Sequence, residues 1–386
     1  MLQRLGKTLG RAARDTIDAC MGAIWPRPAC RDASSIAHVR KILLVRSNFR
    51  MGNTILATAL LPVLRQRFPD ARVDYLVGEG SAVLLRGLPI AYVHTISQRF
   101  ILAPWRFAGL ILRLRRRRFD LAVCPQSSFS AALFAYLSGA RQRLGITGHG
   151  DRFLTICVDP PLSKRPYDRA KHYARVLGVG CSPRTQYRVS GAEDEVAVAI
   201  LSRLGLRRDR AVAPFLAAFV GGHLSKRVPR QDWLDLFGEL RRIGLTVVVF
   251  VGLEETAFAD LLRSNTAAPV YVVPPQPLRV FGALLARATL LLTPDSGPMH
   301  LAAALDVPII ALLRRERSRR WLPGRPEDRE LLRPDAATVL ATLRQHPRWE
   351  LIAPDPSRCP PPVVLGGPQV DEQSGSSASY SRRLPH

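Results

Sequence analysis

Lys41-Ile42-Leu43-Leu44-Val45-Arg46, continued by Ser47-Asn48-Phe49-Arg50-Met51-Gly52-Asn53-Thr54, sets the architecture of this chain. A short apolar run at 42–45 that ends in a polar, glycine-containing turn reads as a strand. An amphipathic stretch follows at 54–68, and a second strand at 72–77. Strand, helix and strand in that order form a βαβ unit, which implies a parallel sheet. Outward from this unit the alternation continues through a helix at 103–117, a strand at 119–124, a helix at 129–137 and a short strand at 143–146. After a charged helix at 193–204 a second series begins. Its strands are expected at 211–220, 246–251, 270–273, 290–293 and 309–313, and its helices at 231–242, 256–264, 278–287 and 299–305. Two such series predict an α/β chain of two Rossmann-like halves, with ligands bound in the cleft at the carboxyl ends of the strands.

The expected organisation is a basic amphipathic segment and linker (1–36), a first domain (37–180), a second domain (181–350) and a disordered tail (351–386) rich in Pro, Gly and Ser. In the first segment Leu2, Leu5, Leu9, Ala13, Ile17, Met21 and Trp25 recur at helical spacing, with Arg4, Lys7, Arg11 and Arg14 between them. That pattern suits a helix lying on anionic lipid, and equally one packed on the core.

The net charge of +25 predicts attraction to a polyanion without choosing among nucleic acid, membrane and phosphorylated substrate. Nucleic acid fits least, because aromatics are not interleaved with the basic residues and no recognised module is present. The six cysteines show no paired spacing and are expected to be reduced thiols. No apolar run reaches the ~18 residues a membrane span needs, nor does the amino terminus resemble a signal peptide, so a cytoplasmic protein is expected.

Three turns carry candidate chemistry. In the first, Arg50, Met51 and Gly52 stand where a strand feeds a helix, and Asn53 either reaches a substrate or caps that helix. No G-x-G-x-x-G is present, which disfavours a dinucleotide cofactor. In the second, Val220-Gly221-Gly222-His223-Leu224-Ser225-Lys226-Arg227, two glycines expose backbone N–H groups beside two cations, a combination suited to a diphosphate or simply to a solvated loop. The third, Thr293-Pro294-Asp295-Ser296-Gly297-Pro298-Met299-His300-Leu301, is the most specific. A strand gives way there to a helix whose positive end would stabilise a diphosphate leaving group.

With Phe68-Pro69-Asp70-Ala71 and the Ala302-Ala303-Ala304 that follows the third turn, these motifs resemble glycosyltransferase family 9, the ADP-heptose:lipopolysaccharide heptosyltransferases, over roughly 41–313. The resemblance implies a GT-B fold, an acceptor on the first domain (Arg50, Met51, Gly52) and metal-independent transfer with inversion. It places the donor on Gly221, Gly222, Lys226, Asp295, Ser296, Gly297, Pro298, Met299 and His300, with Glu254 for the ribose and Gln276 for the base. No cofactor is implied, the nucleotide sugar being substrate. The chain contains no D-x-D for a divalent ion. It departs from the family in one respect: Asn53 stands where members carry an Asp that acts as general base. His223 is then the candidate base, since an amide takes up no proton in the usual range.

The leading expectation is therefore an inverting glycosyltransferase acting on an anionic, lipid-linked saccharide at the inner membrane surface. A catalytically silent sugar-nucleotide-binding protein and a sugar-nucleotide epimerase are the alternatives.

Overall fold

A computed structural model describes residues 31–97, 104–208, 211–265 and 269–354. The amphipathic pattern at 2–25 and all but the first four residues of the expected tail lie outside the described residues.

The first sheet contains β1 (Lys41–Arg46), β2 (Arg72–Gly78), β3 (Tyr92–Ile96), β4 (Leu121–Cys124), β5 (Gln142–Ile146) and β6 (Ile156–Val158), in the order β3-β2-β1-β4-β5-β6. All neighbours are parallel; β1 runs in register with β2 at Ile42 and Val73, and with β4 at Ile42 and Leu121. A small antiparallel pair, β7 (Arg207–Arg208) and β8 (Ala211–Val212), precedes the second sheet. That sheet contains β9 (Leu216–Phe219), β10 (Val247–Phe250), β11 (Val270–Val273), β12 (Leu290–Thr293), β13 (Ile309–Leu313) and β14 (Arg329–Leu332), and repeats the same order, β11-β10-β9-β12-β13-β14. In each sheet the order reverses beside its first strand, which opens a crevice between the loops after β1 and β4, and between those after β9 and β12. The two crevices carry the turns singled out above.

Burial follows the period of two. Leu43 and Val45 enter one apolar cluster with Phe134 and Phe153, while Ile42 and Leu44 enter another with Leu64 and Tyr173. A strand covered on both faces reads as continuous apolar sequence, which is why β1 stands out. A third cluster joins Ile55 and Leu84 of the first half to Phe281, Met299 and Leu301 of the second, so the two halves share apolar core near the cleft.

The structure revises several sequence boundaries. The helix expected over 54–68 is two, α1 (Met51–Thr58) and α2 (Leu60–Arg67), broken at Ala59. Pro62 has no N–H to offer the Thr58 carbonyl. Instead the Thr58 hydroxyl donates to the Ile55 carbonyl (2.6 Å) and accepts from the backbone N–H of Gln186 (2.7 Å). The strand expected over 211–220 is likewise two, β8 and β9, because Pro214 interrupts the ladder. The outermost strands β3, β6 and β14 escaped the pattern: they are short, and β3 and β14 mix polar with apolar residues. Cys124 and Cys181 are free, whereas Cys157 is disulfide-bonded, contrary to the expectation of uniformly reduced thiols. Among the described residues no helix is long and apolar enough to cross a membrane.

Candidate functional site

Two helix starts face each other across the cleft. Where β1 ends, the chain turns through 47–50 into α1, whose amino-terminal residue Arg50 is extended and makes no side-chain cap. Asn53 lies within the first turn of α1 and is therefore not its cap. On the other side β12 ends at Thr293, and α10 (Gly297–Ala304) begins after Ser296. The Ser296 hydroxyl bonds that of Thr293 (3.0 Å) instead of capping, which leaves the first-turn N–H groups of α10 without a side-chain partner. The remaining helices keep chain order: α3 (Pro104–Arg117), α4 (Phe129–Leu137), α5 (Asp168–Val176), α6 (Gly191–Arg203), α7 (Arg230–Arg242), α8 (Thr256–Asn265), α9 (Leu278–Ala286), α11 (Ala336–Arg344) and α12 (Trp349–Ile352).

Gly52 and Gly297 permit this approach. A Cβ on Gly52 would lie 2.4 Å from His300 Cδ2, and one on Gly297 would lie 2.5 Å from the Met51 sulfur. A side chain at Gly52 would meet the buried His300 ring, whereas one at Gly297 would have to displace the flexible Met51 side chain. Met51 and Gly52 thus touch the second half directly, while Arg50 is exposed.

On the second half the charges are paired. Lys226 Nζ lies 2.6 Å from Asp295 Oδ2, with the carboxylate almost wholly buried and the lysine partly open. The same ammonium sits 5.9 Å above the Trp321 ring. Arg227 ties the second turn together: it donates to the Gly222 carbonyl and reaches both Glu254 (2.6 Å) and Glu255 (2.5 Å). Glu255 is buried beneath the glycines, accepts from the Gly252 N–H (3.1 Å), and leaves no space for a Cβ on Gly221. Glu254 is open to solvent. Gly222 has φ 132° and packs against Ser296, which brings the second and third turns side by side.

His300 is buried, with Nδ1 2.7 Å from the hydroxyl of Tyr167, a residue of the first half. Burial pushes its pKa down to about 4; Asp295 opposes that shift and Lys226 adds to it. The imidazole is consequently neutral at pH 7 and able to donate one hydrogen bond. Pro298 and Met299 point into the interior, Met299 being fully buried in the shared core. His223 is exposed and bonds Ser225 within its own loop (3.0 Å). Gln276, beyond the end of β11, donates to the Pro274 carbonyl (3.0 Å).

On the first half two arginines beside Asn53 make no described ion pair. Arg46, the last residue of β1, is buried, and its Nε donates to the Asn53 carbonyl (3.3 Å). Arg169, on the first turn of α5, lines the same pocket as Arg46, Asn53 and Gln126, over a floor that includes Leu56 and Leu60. Burial lowers the pKa of Arg46 to about 10, with Tyr75 opposing and Arg169 contributing. Burial also lowers that of Arg169, against Tyr173 and with a contribution from Arg320.

The sequence reading missed Arg46 and Arg169 as site residues, together with Tyr167, Glu255 and Trp321. Arg46 and Glu255 adjoin motif residues and were accessible to it. Tyr167, Arg169 and Trp321 carry no local signal. Among the described residues no group of three His, Cys, Asp or Glu side chains is arranged to hold a metal ion.

The family model of glycosyltransferase family 9 (heptosyltransferase) matches residues 107–339. The lipopolysaccharide core heptosyltransferase OpsX of Haemophilus influenzae is 21% identical over 280 residues, which span 68% of this chain and 76% of that protein. The solved ADP-heptose lps heptosyltransferase II of E. coli superposes with a TM-score of 0.63 at 20% identity, covering 79% of this chain and 98% of that one. E. coli heptosyltransferase WaaC with ADP-2-deoxy-2-fluoro heptose gives 0.64, also at 20% identity, over 79% and 99%.

Proposed function

Because the chain belongs to glycosyltransferase family 9 and is accordingly a GT-B glycosyltransferase, we propose that it transfers heptose from ADP-heptose to the core of a lipopolysaccharide, or to a related lipid-linked glycan. The solved relative that holds an ADP-heptose analogue and the curated core heptosyltransferases support this choice of donor and acceptor. The observation that carries it is the Lys226–Asp295 pair at the uncapped start of α10, whose Gly297 packs against Met51 of the opposite helix start.

In this reading the donor diphosphate draws Lys226 away from Asp295 and lies against the α10 N–H groups and the Gly221–Gly222 backbone. Asp295, Ser296 and His300 contact the sugar and phosphates, Glu254 the ribose, and Gln276 the base. The acceptor enters from the side of Arg50 and Asn53. Its hydroxyl oxygen bonds to the anomeric carbon from the face opposite the leaving group, the bond from that carbon to the phosphate oxygen breaks, and ADP departs with inverted sugar stereochemistry. Positive charge from Lys226 and the helix start takes the place of a metal ion. Asn53 orients the hydroxyl, and the released proton passes to His223, since His300 is too weak a base. We place the enzyme on the cytoplasmic face of the membrane, with a division between acceptor and donor domains near residue 180.

Single-turnover transfer from ADP-heptose to heptose-deficient lipopolysaccharide, in excess EDTA, tests the proposal. Wild type should turn over undiminished by the chelator. His223→Gln should slow the step about 10²-fold, the lower end of what a general base contributes. Asn53→Ala should slow it while ADP affinity stays unchanged. Loss of turnover in EDTA that Mg²⁺ restores would overturn the metal-free step. Absence of wild-type turnover with intact ADP binding would instead favour the silent binding protein that Asn53 permits.

A further inference from the structure

A buried arginine is ordinarily matched by a carboxylate, because an unpaired charge out of water is costly. The pocket beside Asn53 breaks this rule with one buried arginine, Arg46, and sets a half-buried one, Arg169, next to it. Arg46 and Arg169 both line it, and no acidic residue does. No described ion pair involves either arginine, and the Arg46 side chain makes one described hydrogen bond, to a backbone carbonyl. Arg169 bears on the titration of Arg46 as a like charge, and Arg320, stacked on Trp321 at 5.5 Å from the second half, bears on Arg169 in the same way. Asn53 sharpens the imbalance: an aspartate there, as the family resemblance implies for other members, would supply this pocket's missing negative charge.

From this pocket we infer that Arg46 and Arg169, with Asn53 and Gln126, form an anion subsite that takes a carboxylate or phosphate group of the acceptor. Two guanidinium forks offer planar, charge-assisted donors suited to such a group. The pocket is partly open to solvent and narrow, with about 20 Å³ of space for the centres of water-sized groups. An anionic oxygen fits, and a sugar ring does not, so the saccharide stays at the mouth with its charged substituent inside. The subsite decides which acceptors are accepted. It rests on the acceptor-side reading given above.

The test begins without any acceptor, so that its failure is separable from failure of the proposed activity. Full-length protein is saturated with ADP to fill the donor side and melted at constant ionic strength in chloride, acetate or inorganic phosphate. Wild type should be stabilised by acetate, phosphate or both relative to chloride, and the preferred anion identifies the group. Arg169→Gln should lose most of that rise while melting no lower than wild type in chloride, because it relieves repulsion. Asn53→Asp should do likewise by supplying the carboxylate internally, and Arg46→Lys should retain part of the effect. In transfer assays Arg169→Gln should raise KM for heptose-deficient lipopolysaccharide at least tenfold and leave KM for the donor unchanged. Phosphatase treatment or methyl esterification of the acceptor should reproduce that rise in wild type, according to which anion is bound. Equal anion shifts in wild type and Arg169→Gln, or a destabilised Arg169→Gln in chloride, would overturn the subsite and make Arg169 a packing residue.

Discussion

The two walls of the cleft handle charge in opposite ways. On the wall formed by the second half, Lys226 is neutralised by Asp295, and Arg227 by Glu254 and Glu255. On the wall formed by the first half, Arg46 is buried and Arg169 half-buried, and no acidic residue lines their pocket. A paired lysine can exchange its carboxylate for a diphosphate and recover its partner when product leaves. An unpaired arginine remains destabilised until a ligand arrives. The second wall is thus balanced by itself, whereas the first keeps a charge that the proposed anion would balance.

The strongest way to break this comparison is to hold the walls apart. Gly52→Ala places a Cβ 2.4 Å from the buried His300 ring, and a displacement of about 1 Å between reacting groups can cost ~10²-fold. We expect kcat/KM to fall by about that factor or more, with ADP affinity retained. Retained activity would mean that the contact between the helix starts does not belong to the working conformation.

A second test concerns the neutral state of the paired wall. His300 is held near 4, below its ordinary value of 6.5, so the unfolded chain binds its proton first as pH falls. Stability from this residue is then fully present above about pH 6.5 and is lost progressively down to about pH 4, by at most ~3 kcal/mol. Denaturant titrations across this window should show the loss in wild type and a flatter profile in His300→Asn. Parallel profiles would show that the imidazole is not buried neutral.

The third effect is comparable or smaller. Lys226→Ala removes a charge-assisted contact of about 1.5–3 kcal/mol, so calorimetry should find ADP bound roughly ten- to a hundredfold more weakly. Lys226→Arg should retain much of the affinity. Unchanged ADP binding in Lys226→Ala would leave the Asp295 pair a structural contact and move the diphosphate elsewhere.

What the sequence determined by itself was local. Buried parallel strands are apolar on both faces, so β1, β10 and β12 were plain as runs, and their order with intervening helices implied two parallel sheets. The turns after β1, β9 and β12 were legible because they concentrate glycines, a helix start and charged residues within ten positions. The edge strands β3 and β14 were not, because they mix polar with apolar residues, and β6 was too short at three residues; the edge strand β11, apolar throughout, was legible. Nor could the sequence tell Glu254, which is open, from Glu255, which is buried under Gly221. It could not tell that Asn53 lies inside the first turn of α1 rather than capping it. Tertiary structure alone brought Tyr167 to His300 and Trp321 to Lys226. It alone set Arg169 beside Arg46, 123 positions away in the chain. Periodicity records which face of an element is buried; it carries no record of which distant charge lies opposite, and the absence of an acidic partner for Arg46 among the described residues is visible only in the tertiary structure.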